Sequence, residues 1–279
     1  MHCRLRATVA VAAAVLPLAL GATPARATSA GAAPAVRAET GYVALGDSFS
    51  SGVGAGSYDP AGGDCHRSRL AYGPLWAAGH PVGRSDFLAC SGARTDEVLR
   101  DQLPRVGTDT TLATITVGGN DLDFAKAAAA CLQPLTVEPV CDAALAESER
   151  RLRDELPGSL ALTYHAIADA APHAKVVVVD YPRLLEHGTA LCTVGTPARR
   201  DRFNALTDRL DELIQTQATR QGFKFADVRG TFAGHGVCAG GGQEWINRIV
   251  VPAYWESFHP TAVGQAQGYL PPVSAAITN

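Results

Sequence analysis

Four residues have the types that acyl-transfer chemistry requires: Ser48, Gly92, Asn120 and His259. A serine hydroxyl is a weak nucleophile until a base removes its proton, and histidine is the usual base near neutral pH. The tetrahedral oxyanion formed by the attack must then be stabilised by hydrogen-bond donors. Together the four residues predict a nucleophile (Ser48), its base (His259) and an oxyanion hole made by the backbone N–H groups of Ser48 and Gly92 and the side-chain amide of Asn120.

Each of these residues also has an ordinary structural interpretation. A serine after a strand commonly caps the next helix, and a glycine such as Gly92 is commonly a turn residue. Asn120 followed by Asp121 is typical of a helix start, and a histidine before a proline can be a loop residue with no chemical role. It is their joint occurrence, in this order, that favours catalysis.

The elements that must position these residues are short apolar segments separated by helical patterns. The candidate strands are residues 42–45, 87–89, 112–117, 176–179 and 223–228. Apolar residues recur at spacings of three and four in 198–218, which predicts a helix. Residues 142–171 predict a second helical stretch, broken near Pro157-Gly158, and a last helix is expected to begin near Thr261. Continuous apolar strands that alternate with helices indicate a parallel sheet, so we predict one three-layer α/β/α domain over 41–279.

Parallel sheets of this kind place their chemistry at the carboxyl ends of the strands. Ser48, Gly92 and Asn120 each follow closely on one of the first three predicted strands, and His259 follows the last one after a Gly-rich segment. The loops that carry the four residues can therefore converge on one edge of the sheet.

Composition excludes several other classes of protein. The formal net charge is −3, with 18% charged and 47% apolar residues, so no basic face for nucleic acid is expected. The glycines of Gly52-Val53-Gly54-Ala55-Gly56 hint at a dinucleotide loop, but Ser57 stands where G-x-G-x-x-G requires glycine. The histidines show no metal-ligand spacing, so we expect neither a cofactor nor a metal.

Residues 1–27 have the three parts of a secretory signal peptide. Arg4 and Arg6 precede the apolar run 7–22, and Ala25-Arg26-Ala27 is a small-x-small cleavage site. The run is shorter than the ~20 apolar residues needed to span a bilayer. We therefore predict a cleaved signal rather than a membrane anchor, then a flexible lead-in over 28–40, and a secreted, extracellular protein.

The motifs resemble those of the SGNH (GDSL-type) hydrolase superfamily, in particular its secreted actinobacterial lipase/esterase branch. Gly46-Asp47-Ser48-Phe49-Ser50 is similar to the block that carries the nucleophile, and Gly92 to the second block. Gly118-Gly119-Asn120-Asp121 is similar to the third block and His259-Pro260 to the fifth. The resemblance implies a flavodoxin-like sheet, no metal, and hydrolysis of carboxylic esters through an acyl-serine. An ester or lipid substrate and a monomeric enzyme are expected.

One position departs from the family pattern. The family commonly has Asp three residues before the histidine, whereas this chain has Glu256. Either Glu256 orients His259, or a backbone carbonyl near Ser257 accepts the Nδ1 proton, as in members that resemble a Ser–His dyad. Because Glu is one methylene longer than Asp, its carboxylate cannot occupy the same position without adjustment, and we favour the carbonyl.

Six cysteines remain after residues 1–27, and an even count in an exported chain predicts disulfides. The sequence has no C-x-x-C pair, so a zinc site is not indicated. Six cysteines allow 15 pairings. We favour the three pairs that are local in sequence, which demand the least of the topology, and the family resemblance points the same way. The pairs are Cys65–Cys90, Cys131–Cys141 and Cys192–Cys238.

Four functional questions stay open at the level of sequence. A carbohydrate esterase that removes acetyl groups would use the same catalytic parts. A noncatalytic secreted binding module would be expected to lack at least one of the four catalytic residues, and none is missing. Trp245 and Trp255 fit either an acyl groove or the core, and long-chain lipase and small-ester esterase are not separated.

Overall fold

The computed structural model describes residues 40–133, 135–189 and 191–279. Its sheet has five strands in the order β2-β1-β3-β4-β5, and every pair of neighbours is parallel. The strands are β1 (Thr40–Gly46), β2 (Val82–Phe87), β3 (Leu112–Thr116), β4 (Lys175–Val179) and β5 (Lys224–Ala226). This is the flavodoxin-like order, in which the direction of winding reverses between β1 and β3. The predicted parallel α/β sheet is confirmed.

Helices flank the sheet. The α-helices in the described ranges are α1 (Ser48–Ser51), α2 (Tyr72–Ala78), α3 (Thr95–Glu97), α4 (Phe124–Leu132), α5 (Glu138–Asp154), α6 (Leu156–Ala170), α7 (Pro197–Arg220), α8 (Arg229–Phe232) and α9 (Leu270–Thr278). A π-helical segment, Gly264–Tyr269, leads directly into α9. None of the helices that the structure describes is long and apolar enough to cross a bilayer.

Several boundaries differ from the sequence prediction, three of them as follows. The second strand lies at 82–87 rather than 87–89, because its edge position leaves polar side chains exposed and no continuous apolar run marks it. The break in 142–171 falls at Glu155, since Pro157 lies in the first turn of α6, where a missing N–H costs little. Thr40 begins β1 and does not belong to the lead-in, whereas the rest of the expected signal peptide and lead-in lies outside the described residues.

The centre of the sheet is buried on both faces. Every residue of β3 is buried, as are Val176–Val179 of β4, because helices cover both sides of these strands. Gly46 ends β1 with φ of 118°, and a side chain there would overlap Thr116 O of the neighbouring strand. A glycine is therefore required where β1 turns toward Ser48.

Three disulfides lie within the described domain, with the pairing favoured from the sequence, and the second of them joins α4 to α5. Cys65 is bonded to Cys90, Cys131 to Cys141, and Cys192 to Cys238. The first bond anchors the segment after β2 that carries Gly92. The third closes 46 residues of sequence, the longest of the three loops, so it constrains the unfolded chain most in the chain-entropy view.

Arg200 is a fully buried cation at the beginning of α7. Its Nη1 donates to the carbonyls of Val194 and Gly195 at 2.9 and 2.8 Å, and its Nη2 donates to those of His187 and Thr189 at 2.6 and 3.0 Å. Buried charge requires such compensation. The guanidinium therefore fixes the course of the loop that carries Cys192, a role that no sequence pattern predicts.

A pair of buried carboxyl groups lies where β4 ends. Asp180 Oδ1 accepts a hydrogen bond from Val228 N at 2.8 Å, and Asp211 Oδ1 accepts one from Tyr181 N at 3.1 Å. Among the described residues, Oδ2 of each carboxyl has no hydrogen-bond partner. Arg229 Nε lies 3.5 Å from Asp180 Oδ2 and 4.0 Å from Asp211 Oδ2.

Burial raises the pKa of both carboxyl groups, and the pKa of Asp211 is raised further by the charge of Asp180. Arg229 opposes this effect only in part, because its Nη2 pairs with the carboxylate of Asp227 at 2.6 Å. The pair therefore retains a proton at pH values where carboxyl groups of the unfolded chain are ionised.

As the pH rises from 5 to 8, we expect the melting temperature of the wild type to fall. We expect Asp211→Asn to make this fall smaller. Unfolded carboxyl groups titrate near pH 4, so a proton held only by the native state lowers the free energy of unfolding by ~1.4 kcal/mol per pH unit as the pH rises through this window. Asparagine removes that proton and still offers an oxygen to Tyr181 N. Calorimetric melting temperatures at pH 5, 6, 7 and 8 test this.

The matched control is Asp208→Asn, on the same helix, whose carboxylate pairs with the exposed Arg183. That variant is expected to follow the wild-type dependence of melting temperature on pH. An Asp211→Asn protein whose melting temperature falls as steeply as that of the wild type would contradict the assignment.

Candidate active site

Ser48 stands at a sharp turn between β1 and α1. Asp47 is the residue before the helix, and its Oδ1 accepts a hydrogen bond from Phe49 N at 3.0 Å. This cap ends the strand and begins the helix within one residue. Ser48 is the first residue of α1, so its backbone N–H points out of the helix with no partner within it. The turn thus presents both the hydroxyl and the N–H of Ser48 at the carboxyl edge of the sheet.

His259 meets Ser48 across 211 residues of sequence. Its Nε2 lies 2.7 Å from Ser48 Oγ, and its Nδ1 lies 3.0 Å from the backbone oxygen of Ser257. With Nδ1–H donating to that carbonyl, Nε2 is the nitrogen that can accept the proton of the Ser48 hydroxyl. The ring also packs against Phe49, with 5.1 Å between the ring centres.

The structure directs Glu256 away from this pair. Its Oε1 accepts a hydrogen bond from the Tyr58 hydroxyl at 2.7 Å, and the Tyr58 oxygen accepts one from Gly54 N at 2.9 Å. Of the two arrangements considered from the sequence, the structure has the one in which the Ser257 carbonyl faces His259. Tyr58 was not anticipated, because its contact with residue 256 spans 198 positions and leaves no local pattern.

The loops after β2 and β3 bring Gly92 and Asn120 to the same edge. Cys90 N donates to Gly46 O at 3.0 Å, which ties the first of these loops to the end of β1. Asn120 Nδ2 donates to Ala93 O at 3.0 Å, which ties the second loop to the first. Gly92 has φ of 79°, a conformation that favours glycine. An amide side chain carries two N–H groups, so Asn120 can serve Ala93 with one and a ligand with the other.

Tyr181 joins three of these strand ends and was missed by the sequence analysis. Its hydroxyl donates to Asp47 Oδ2 at 2.5 Å and accepts from Gly119 N at 3.0 Å. It follows β4 directly, after Asp180, and this place at a strand end was the signal that could have identified it. Burial raises the pKa of the Asp47 carboxyl to about 7, while the hydrogen bonds from Tyr181 and Phe49 N oppose the rise.

Two further polar contacts brace the loop that carries Asn120. Arg94 forms an ion pair with Asp123, and Thr95 donates to the carboxylate of Asp121 from both its backbone N and its hydroxyl. Arg94 and Asp121 are therefore engaged by other protein groups and support the loops.

A cavity of about 630 Å³ opens beside Ser48 and His259. Its polar end includes Asn120, and its walls are mostly apolar, formed by Phe124, Ala125, Ala128, Ala129, Leu132, Tyr181, Leu184, Phe203, Ile249, Tyr254, Trp255 and Phe258. The two tryptophans considered for an acyl groove have different positions in the structure. Trp255 lines the cavity, whereas Trp245 stacks on His235 at 3.5 Å and packs against Phe232.

The sequence that forms this site matches a known protein family. Residues 44–267 match the model of the GDSL-like lipase/acylhydrolase family, which is more than half of the chain. The chain belongs to that family. The resemblance to SGNH hydrolases is thereby confirmed, and membership makes the protein an ester hydrolase with the α/β fold described above.

Similar proteins cover almost the whole chain. Lipase 1 of Streptomyces coelicolor is 45% identical over 261 residues, which are 94% of this chain and 95% of that protein. The crystal structure of an extracellular lipase from Streptomyces rimosus is 45% identical, with a TM-score of 0.80 over 85% of this chain and 99% of that one. The crystal structure of phospholipase A1 from Streptomyces albidoflavus is 40% identical, with a TM-score of 0.81 over the same shares.

We expect Glu256→Ala to keep kcat/KM for a soluble ester within about tenfold of wild type. The carboxylate contacts Tyr58, and the Nδ1 atom of His259 faces a backbone carbonyl, which the substitution leaves in place. Removing the carboxylate from a working triad lowers kcat by ~10⁴-fold. A loss of that size would show that Glu256 acts on His259. Glu256→Gln is the control, since its amide oxygen can still accept from the Tyr58 hydroxyl.

We expect kcat/KM to fall on the acid side only at an unusually low pH. Burial lowers the pKa of His259 to about 4, although the Ser257 carbonyl favours the protonated ring. The base must be neutral to take the Ser48 proton, so activity is expected to persist to about pH 5 and to fall below pH 4. Initial rates after brief exposure to each pH, with circular dichroism to monitor folding, test this. An inflection near pH 6.5, the ordinary value for histidine, would contradict it.

Proposed function

We propose that this protein is a secreted serine hydrolase that cleaves carboxylic esters of lipids through an acyl-serine on Ser48. The observation that carries the proposal is the 2.7 Å separation of Ser48 Oγ and His259 Nε2 beside an apolar cavity. A serine with a histidine in hydrogen-bond reach, the histidine itself oriented by a third group, is the arrangement that activates a hydroxyl nucleophile.

In the first half-reaction the Ser48 oxygen bonds to the ester carbonyl carbon while His259 Nε2 takes the hydroxyl proton. The carbonyl oxygen becomes an oxyanion, for which Ser48 N–H, Gly92 N–H and the free amide N–H of Asn120 are the candidate donors. The tetrahedral intermediate then collapses: the bond to the alcohol oxygen breaks, and His259 returns the proton to that oxygen. The alcohol leaves and an acyl-serine remains.

In the second half-reaction a water molecule replaces the alcohol. His259 Nε2 takes a proton from the water as its oxygen bonds to the acyl carbon, and the same oxyanion donors serve again. Collapse of this intermediate breaks the bond to Ser48 Oγ, which recovers the proton from His259. The products are the free acid and the original enzyme, so protons balance without any further group.

Lipid esters are the substrates that the cavity fits best. An acyl chain can bury its methylenes against the apolar wall, each contributing about 0.8 kcal/mol, while its ester carbonyl reaches the polar end at Ser48. The printed names of the similar proteins, lipase and phospholipase A1, support the same substrate class. The mostly apolar walls favour it over the acetyl esters of polysaccharides.

Secretion is supported by three observations. Residues 1–27 have the pattern of a cleavable signal peptide, and disulfides persist in oxidising compartments. The lipase from Streptomyces rimosus is described as extracellular.

The test is hydrolysis of p-nitrophenyl esters from acetate to palmitate by oxidised protein. Wild type is expected to be active with an optimum at medium or long chains, and Ser48→Ala is expected to lose at least about 10³-fold in kcat. A serine-reactive phosphonate should add its mass at Ser48 in the wild type. Ser85→Ala, an exposed serine of the edge strand, is the control and should retain both activity and labelling.

Three results would contradict the proposal. Equal activity of Ser48→Ala and wild type would remove Ser48 from the chemistry. Absence of hydrolysis with every ester, together with absence of labelling, would favour a noncatalytic binding module, whereas labelling of Ser48 without hydrolysis of these esters would favour a polysaccharide esterase.

A further inference from the structure

Residues 249–255 form an exposed segment without a single charged side chain, Ile-Val-Val-Pro-Ala-Tyr-Trp. Four large apolar side chains in it are exposed: Ile249 by 42%, Val251 by 67%, Tyr254 by 64% and Trp255 by 38%. Single apolar residues on a surface need no explanation, but contiguous ones mark a contact surface. We call residues 249–255 the apolar rim.

The apolar rim borders the mouth of the active-site cavity. Ile249, Tyr254 and Trp255 are exposed and also line the cavity that contains Ser48 and His259. The exposed surface and the cavity wall are therefore continuous, and a molecule in the cavity would pass these side chains on its way in.

A second wall of the cavity also ends in exposed apolar surface. Leu132 and Gln133, at the end of α4, line the cavity. Leu135 follows two residues later and is 95% exposed. Apolar side chains thus stand in solvent next to two different walls of the same cavity.

The apolar rim is held by hydrogen bonds at its base and by stacking. Asn247 N donates to His259 O at 2.9 Å, and Phe258 N donates to Asn247 O at 3.0 Å, which closes the loop that carries the rim. Val250 N donates to Ser257 Oγ at 3.0 Å. Trp255 stacks on His66 with 3.8 Å between ring centres. A surface ordered beforehand loses little conformational entropy when it binds.

The charged groups beside the apolar rim already have partners within the protein. Arg248 Nη2 lies 2.6 Å from Glu244 Oε1, and Glu256 Oε1 accepts from the Tyr58 hydroxyl. The rim therefore offers no charged group to a partner that binds through ion pairs. An uncharged partner surface, in contrast, can cover the rim without breaking any ion pair. Tyrosine and tryptophan are, moreover, the side chains that favour the boundary between hydrocarbon and water.

We propose that the apolar rim docks the enzyme onto the surface of a zwitterionic lipid aggregate, with the cavity mouth facing the lipid. The proposal rests on the proposed function for what then enters the cavity, but the docking itself depends only on the rim. Attraction arises from burial of uncharged side chains at the lipid boundary, so it is insensitive to salt. A second copy of this chain on the rim would instead cover the mouth through which the substrate must pass.

The test is flotation with phosphatidylcholine vesicles, performed in the Ser48→Ala background so that the lipid is not hydrolysed. Ser48→Ala protein is expected to bind, with a partition coefficient that stays within about twofold between 0.05 and 0.5 M NaCl. Adding Val251→Glu should lower the partition coefficient by about tenfold or more, because the carboxylate resists burial at the lipid boundary. Val251→Thr, which keeps the shape of the side chain, should give a smaller fall.

The matched control is Leu162→Glu, an apolar-to-acidic change at a side chain on α6 that is 59% exposed and does not line the cavity. It should leave the partition coefficient within about twofold of the background protein. Circular dichroism and melting temperature establish that each variant is folded, and Val251→Thr carries the test if Val251→Glu does not fold.

Three results would overturn the docking proposal. The first is no binding of the background protein to phosphatidylcholine vesicles, and the second is equal loss on Val251→Glu and Leu162→Glu. The third is a concentration-dependent dimer in analytical ultracentrifugation that Val251→Glu dissociates, which would assign the rim to a second copy. Failure of the proposed function is a separate outcome, since wild type would then hydrolyse no ester whether or not the Ser48→Ala protein binds vesicles.

Discussion

The hydrogen bonds of one buried carboxylate, Asp47, connect most of the candidate site. One oxygen caps the helix that begins with Ser48, and the other accepts from Tyr181, whose hydroxyl also holds Gly119 N. A carboxylate that is almost entirely buried must have such partners, because an unpartnered one would be strongly destabilising. The ends of β1, β3 and β4 are therefore fixed relative to one another by the need to satisfy a single side chain.

The sequence predicted the parts of the structure that depend on local pattern. β1, β3 and β4 are buried on both faces, so each contains a run of mostly apolar residues, whereas the middle of the edge strand β2 is Gly-Arg-Ser-Asp and its position was predicted wrongly. Ser48, Gly92 and Asn120 could be proposed because each follows a strand end within a few positions. Tyr58 could not, since its partner lies 198 residues away and the contact leaves no periodic or spaced signature. Tyr181 was marked only by its place after β4, and its bond to Asp47, 134 residues away, has no sequence signature of its own.

The apolar surroundings of the site have two effects with one cause. They provide a wall against which hydrocarbon can lie, and they disfavour a charged imidazole, so the pKa of His259 falls to about 4. A base with a low pKa is a weaker proton acceptor but is neutral over a wide range of pH. The apolar cavity that encloses the substrate thus also keeps His259 neutral. A substitution that admits water to the cavity would alter both the binding of the substrate and the pKa of His259.

The group that faces His259 Nδ1 is the backbone oxygen of Ser257, at 3.0 Å. Every amino acid carries that oxygen, so no single codon change at this position can delete the acceptor, although the Ser257 hydroxyl has its own bond to Val250 N. Glu256, released from orienting the ring, contacts Tyr58 instead. The orientation of the imidazole thus depends on the course of the chain, and a change of the side chain at residue 256 would leave the acceptor of Nδ1 in place.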